Sequence, residues 1–367
     1  MSTKSVNVNT GKVMTVKGPI DPSDLGVTLM HEHLFWNETF KSPNRFTPAT
    51  ESAHWPEKLT LENLHLEMKK EGSISNAGYI QDVASSITEA NEFKNWGGST
   101  IVDVTNIGRP RDPRGLLSIS NSTGLNIVMG CSWYQPRDPA NNIANRTLEE
   151  LTNDIVHEIT VGVHNTNIRA GIIGEVGIRD NFEATEVKVM KASARASRAT
   201  GAAISLHWGG LGREKFEIIE IIGNEGADLT RTIFGHSDLI AHDLPFVLEL
   251  LKHGVYIQFD LLGRRSVPLT YEPTNTEDPW SEYITFSGAA VIARTIISLI
   301  KAGYANRILI SQDVAAKKHL KQYGGAGYSF ISETFLPNLR KLGADDQQIN
   351  QIVVENPKRV ITLAEIT

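Results

Sequence analysis

The sequence predicts one (β/α)8 TIM barrel over residues 1–367, with a long insertion at 35–96 after the first strand. Three observations carry this. Eight short, apolar, β-branched runs recur along the chain. Helical patterns separate most of them, the alternation expected of βα units around a parallel sheet. Residues of metal-binding type gather where these runs end, and active sites of barrels lie at the C-terminal strand ends.

The first run, VTLM (27–30), leads directly into His31-Glu32-His33. The insertion that follows is rich in Asn, Pro, Trp and Glu. TLENLHLEMKKEG and YIQDVASSITEANEFKNWGG read as helix, and FWNETFKSPNRFTPATESAHWP reads as a long loop. Long βα loops on a barrel usually build the site or its lid. The next runs are STIVDV (99–104), NIVMG (126–130), GIIGE (171–175), AISLH (203–207), TIFGH (232–236), VYIQFD (255–260) and RILISQD (307–313). Between them lie TLEELTNDIVHEIT, EVKVMKASARASRATG, EKFEIIEIIGNEG and LPFVLELLKHG. Several stop at Gly, as helix C-termini commonly do. AAVIARTIISLIKAG (289–303) carries Arg294 and Lys301 and reads as an amphipathic helix on the core, too short to span a bilayer.

Composition narrows the function classes. The chain carries 36 basic and 42 acidic residues, a net charge of −6, and gives no electrostatic reason to expect nucleic acid or a membrane surface. With Cys131 alone, no intramolecular disulfide or cysteine-rich zinc site can form, so any metal must use histidine and carboxylate. MSTKSVNVNTGKV has no apolar h-region, so a cytoplasmic location is expected.

The strand ends hold the chemistry. Glu175 sits inside an apolar run, where an uncompensated carboxylate is costly to desolvate. His207, His236 and Asp313 end the fifth, sixth and eighth runs. His31 and His33, two apart on an extended segment, point the same way, into the barrel, and Glu32 points outward as a structural group. Any one of these residues alone is an ordinary polar group. Together they are six potential ligands at one end of five strands. One ion needs three or four protein ligands, so six suggest two ions sharing a bridge. His, Glu and Asp suit zinc, manganese, iron or cobalt, with zinc expected first.

GVTLMHEHL (26–34), GIIGEVG (171–177), ISLHWGG (204–210), IFGHSD (233–238), ILISQD (308–313), YGGAGYSFI (323–331) and VVENPKRVITL (353–363) resemble the phosphotriesterase family of the amidohydrolase superfamily. The insertion after HEH and the opening GKVMTVKGPIDPSDLG resemble its phosphotriesterase-related branch, one member of which hydrolyses N-acetyltaurine. The resemblance implies that His31, His33 and Asp313 hold the more buried metal, that His207 and His236 hold the more exposed one, and that Glu175 bridges them. Many members bridge with a carbamylated lysine. Glutamate here implies that none is needed, and Lys188 and Lys191 should face away from the site.

The expected function is hydrolysis of an amide, carboxylic ester or lactone of a small molecule by a hydroxide bridging two divalent ions, with Asp313 as catalytic proton acceptor. Alternatives are phosphotriesterase activity, a lyase or isomerase on the same barrel, and a catalytically silent ligand-binding barrel. For substrate contacts the sequence offers Trp133, Tyr134 and Trp208 as a pocket wall and Arg264 and Arg265 as an anion site. Packing roles for the aromatics and a solvated loop for the arginines are the bland counterparts. Thr105, Asn106 and Arg109 follow the second run near the same opening. Asp260 is expected behind the ligands. Apolar stretches in the insertion leave a homodimer open.

Overall fold

The computed structural model describes residues 9–37, 56–69, 73–179, 181–208, 212–264 and 288–366. Eight parallel strands form one sheet: β1 (Val27–Glu32), β2 (Gly98–Asp103), β3 (Asn126–Cys131), β4 (Ile172–Ile178), β5 (Ile204–Trp208), β6 (Thr232–Phe234), β7 (Tyr256–Phe259) and β8 (Ile308–Ile310). They pair in sequence order, and β8 returns to β1, where the Asp313 amide donates to the His31 carbonyl at 3.1 Å. This is the (β/α)8 barrel that the eight apolar runs predict.

The helices follow from the same patterning. The longest are α1 (Val83–Asn95), α2 (Pro113–Thr123), α3 (Leu148–Thr160), α4 (Ala184–Thr200), α5 (Glu214–Asn224), α6 (Leu244–Leu251) and α7 (Ala289–Lys301). Thr147 and Glu150 form a capping box that starts α3. In α7 the buried face is Ile292, Ala293, Ile296 and Leu299. No helix among the described residues is long and apolar enough to cross a membrane.

The insertion departs from its expected form. Of the helix expected over 60–72, the described residues show Leu64–Lys69, a start four residues later, and 70–72 lie outside them. Tyr79 and Ile80, expected in helix, instead pair antiparallel with Trp36 and Asn37. Asp82 then accepts hydrogen bonds from the amides of Ala84 and Ser85, so α1 starts after it rather than at Tyr79. Most of the expected long loop, 38–55, lies outside the described residues.

Two apolar layers result. Leu29, Ile101, Ile127, Ile173, Ile204 and Phe234 face the helices. Met30, Val102, Ile172, Ala203, Ile233 and Leu309 belong to a second cluster, to which seven of the strands and Ala203, just before β5, contribute, and this fills the lower barrel. An N-terminal hairpin, Val13–Thr15 with Gly18–Ile20, closes that end. The upper rim is left to polar side chains.

Candidate metal centre

Strict alternation would not deliver the rim residues. Met30 faces inward, so an undisturbed β1 would turn His31 outward. The pairing of β1 to β2 shifts between Leu29 and Glu32, and His31 follows Met30 into the barrel. The pairing of β4 to β5 shifts likewise between Ile173 and Val176. There Gly174 has φ +152°, and a Cβ on it would lie 2.6 Å from the Ser205 carbonyl oxygen. His236 and Asp313 take left-handed backbone, φ 51° and 49°, rare for residues with side chains. These departures bring the six residues together.

Glu175 is the centre of the group. Its Oε2 lies 3.1 Å from His31 Nε2, 3.9 Å from His236 Nε2 and 4.0 Å from His207 Nε2. Its Oε1 lies 3.4 Å from His33 Nε2. Asp313 Oδ1 lies 3.2 Å from His33 Nε2 and 3.8 Å from His31 Nε2. Three sets could each hold an ion, with ligand atoms within 4.8 Å of one another: His31, His33 and Glu175; His31, His236 and Asp313; Glu175, His207 and His236. His31, His33 and Glu175 are fully buried, whereas the His207 side chain is 22% exposed and marks the open side.

The histidines are held from behind. Thr105 Oγ1 donates to the Phe35 carbonyl, so it accepts from His33 Nδ1 at 2.9 Å. His236 Nδ1 donates to Asp260 Oδ1 at 2.7 Å. A ring donating through Nδ1 offers its Nε2 lone pair, the usual ligand atom, to the cavity. Glu32 points away and pins the barrel closure, accepting from Ser311 Oγ and the amides of Gln312 and Val314. Asn106 Nδ2 donates to the Glu175 carbonyl at 2.6 Å.

Electrostatics favour a cation. Burial would raise the Glu175 carboxyl, but His31 and His207 hold it well below the usual range. Burial likewise fails to lower His33, which the Asp313 and Glu175 carboxylates push up to about 9. His31 is raised well above its ordinary value against burial by Asp260 and Glu175, and His236 by Asp260. Burial holds His207 down at about 3, so the ring is neutral, and Tyr134 Oη lies 3.2 Å from its Nε2. Asp313 is held low, against burial, first by Arg264. Asp313 is thus ionised beside Arg264, and Glu175 and Asp260 are ionised among the histidines. His31 Nε2 and Glu175 Oε2 are buried 3.1 Å apart without a hydrogen bond. Orphaned donor atoms of this kind fit a divalent cation.

The expected substrate contacts fare unevenly. Tyr134 stands beside His207, ring centroids 4.8 Å apart. Trp133 does not line the opening: it is 2% exposed in the core, with the Arg146 guanidinium over its ring. Arg264 is tied to the Oδ2 and the carbonyl of Asp313, so its charge serves that carboxylate. Arg265 lies outside the described residues, and only the backbone of Trp208, the last residue of β5, is described. Arg109 lies 4.4 Å from the rings of both Trp36 and Tyr134. Trp36, 4.2 Å from the His33 ring, was not singled out by the sequence; its position two residues into the insertion was the available signal. Lys188 turns away to the carbonyls of Ile143, Ala144 and Arg146, and Lys191 pairs with Glu225.

Comparisons with known proteins agree with this geometry. Residues 11–361 match the Phosphotriesterase family. An N-acetyltaurine hydrolase of Dictyostelium discoideum is 35% identical, over 96% of this chain and 98% of that protein. A phosphotriesterase-related protein of Nematostella vectensis is 34% identical, over 97% and 99%. The crystal structure of a resiniferatoxin-binding protein from Rhodobacter sphaeroides superposes with a TM-score of 0.87 at 32% identity, covering 97% of this chain and 96% of that one. The chain belongs to the phosphotriesterase family and is a metal-dependent hydrolase.

Proposed function

We propose that the enzyme uses two divalent ions, zinc first, to hydrolyse an amide or carboxylic ester of a small molecule. The observation that carries this is the crowding of four imidazoles and Asp313 around Glu175, with His31 Nε2 and Glu175 Oε2 left as buried orphans. On this reading His31, His33 and Asp313 would hold one ion, His207 and His236 the other, and Glu175 both. When bound, the ions would supply Lewis acidity and lower the pKa of a water to about 7. The relatives named N-acetyltaurine hydrolase favour an N-acyl amide.

The remaining roles belong to the chain. The substrate enters over His207, the exposed histidine, beside Tyr134. Arg264, paired with Asp313 Oδ2, keeps the carboxylate ionised and so able to accept a proton. Water adds its oxygen to the carbonyl carbon and gives its proton to Asp313. The C–N or C–O bond breaks, and Asp313 returns the proton to the departing nitrogen or oxygen.

The test is a screen of metal-loaded enzyme in oxygen-18 water over N-acyl amino acids, N-acyl taurines, lactones, aryl esters and phosphotriesters. Cleavage of an amide or carboxylic ester with label in the acid product is expected. Cleavage of phosphotriesters alone, or an unlabelled product, would contradict the proposal.

A further inference from the structure

Asp260 lies just past the end of β7 and is fully buried. Its two oxygens face in different directions. Oδ1 accepts from His236 Nδ1 at 2.7 Å and from the His236 amide at 3.0 Å. Oδ2 lies 3.0 Å from His31 Nδ1 and accepts from Gln258 Nε2 at 2.8 Å, and that amide nitrogen itself lies 3.1 Å from His31 Nδ1. Its own amide is held by Asp238 Oδ2 at 2.8 Å, which fixes the residue against both strands it serves. Gly235 packs against this group: a Cβ there would lie 2.8 Å from the Leu206 carbonyl oxygen and 3.2 Å from Asp260 Oδ2. By contrast His33 has a support of its own, the Thr105 hydroxyl.

We infer that Asp260 is a positioning residue shared by both ion sites, so that the two ions depend on one carboxylate behind them. The inference rests on the proposal that His31 and His236 serve different ions. A carboxylate that accepts from Nδ1 of a ring fixes the tautomer and raises the basicity of Nε2. Here one carboxylate accepts from His236 Nδ1 and lies 3.0 Å from His31 Nδ1, and the Nε2 atoms of both rings face Glu175 Oε2, at 3.9 and 3.1 Å. Glu175 thus links the ion sites from the front and Asp260 from behind. An alternative role, pinning β7 to its neighbours, would need the hydrogen bonds but would not set ion affinity.

The experiment is equilibrium dialysis of metal-free full-length enzyme against buffered free zinc, with bound metal measured by elemental analysis, and manganese resonance spectra to separate single from spin-coupled ions. Asp260→Ala removes both acceptors. It should weaken both equivalents by at least about tenfold, and it should abolish the two carboxylate-bound imidazole N–H proton signals of His31 and His236. Asp260→Asn keeps one acceptor oxygen and should weaken at least one equivalent. A folded Asp260→Ala that holds either ion at wild-type affinity would overturn the inference. Should that variant fail to fold, Asp260→Asn with both ions at wild-type affinity would do so instead. Wild-type enzyme that binds fewer than two ions would overturn the two-ion proposal itself, and the Asp260 inference with it.

Discussion

In the lower barrel, Met30, Ile172, Ala203 and Ile233 face inward while Leu29, Ile173, Ile204 and Phe234 face the helices, and all are buried. A few residues further along the same strands, this alternation fails. The register shifts at His31 and Glu175, and His236 and Asp313 take left-handed backbone. The lower half obeys the pleat and buries hydrocarbon. The rim breaks the pleat and buries charge. Apolar packing tolerates any side chain of the right volume, so regular geometry suffices there. Six polar side chains gathered into one cluster need geometry that regular strands do not provide, and the packed lower half holds the distorted rim in place.

The sharpest way to break this comparison is to change chemistry at the rim while leaving its shape. Asp313→Asn should lower kcat by roughly 10²–10⁴-fold, the usual worth of a general acid–base group, while keeping part of the metal. Wild-type turnover would remove Asp313 as proton acceptor. The converse change belongs in the lower half. Ile233→Ala should cost about 2–5 kcal/mol of stability by denaturant titration, with kcat per folded molecule unchanged. A matching fall in kcat would show that the two halves are not separable.

The next effect concerns pH. His33 is raised in the fold to about 9 from an ordinary value of 6.5. A raised histidine stabilises the fold fully below its unfolded pKa, and that contribution is lost as pH rises through the folded one. Metal-free enzyme should therefore lose up to about 3 kcal/mol between pH 6.5 and 9.5, seen as a falling melting temperature. Metal-loaded enzyme should lose less, because an ion replaces the proton. Equal slopes would contradict the charge balance at the rim. The smallest expected effect is none: bicarbonate should not alter zinc reconstitution, since the ligand proposed at the centre, Glu175, needs no carbamylation. A strong bicarbonate requirement would count against Glu175 in that role.

The same division governs what the sequence shows. The eight strands were legible because each is a short apolar run bounded by Gly or by a polar end, and the barrel strands fall on the predicted runs. Local pattern failed where pairing is non-local: Tyr79 and Ile80 look helical but join Trp36 and Asn37. At the rim, Glu175 was visible because a carboxylate in an apolar strand is costly. Its convergence with His207, His236 and Asp313 followed from barrel topology. The backbone breaks that aim these residues were not visible, since neither His236 nor Asp313 is a glycine. Nor was the pairing of Arg264 with Asp313, which depends on how two rim segments close over one another.

The central claim is that Glu175 faces two cations. Zinc content of the reconstituted wild-type enzyme and of Glu175→Gln, measured side by side by elemental analysis, tests it most directly. Two ions per wild-type chain and a loss of occupancy in the variant are predicted. One ion or none in the wild type, or two retained by Glu175→Gln, would contradict it.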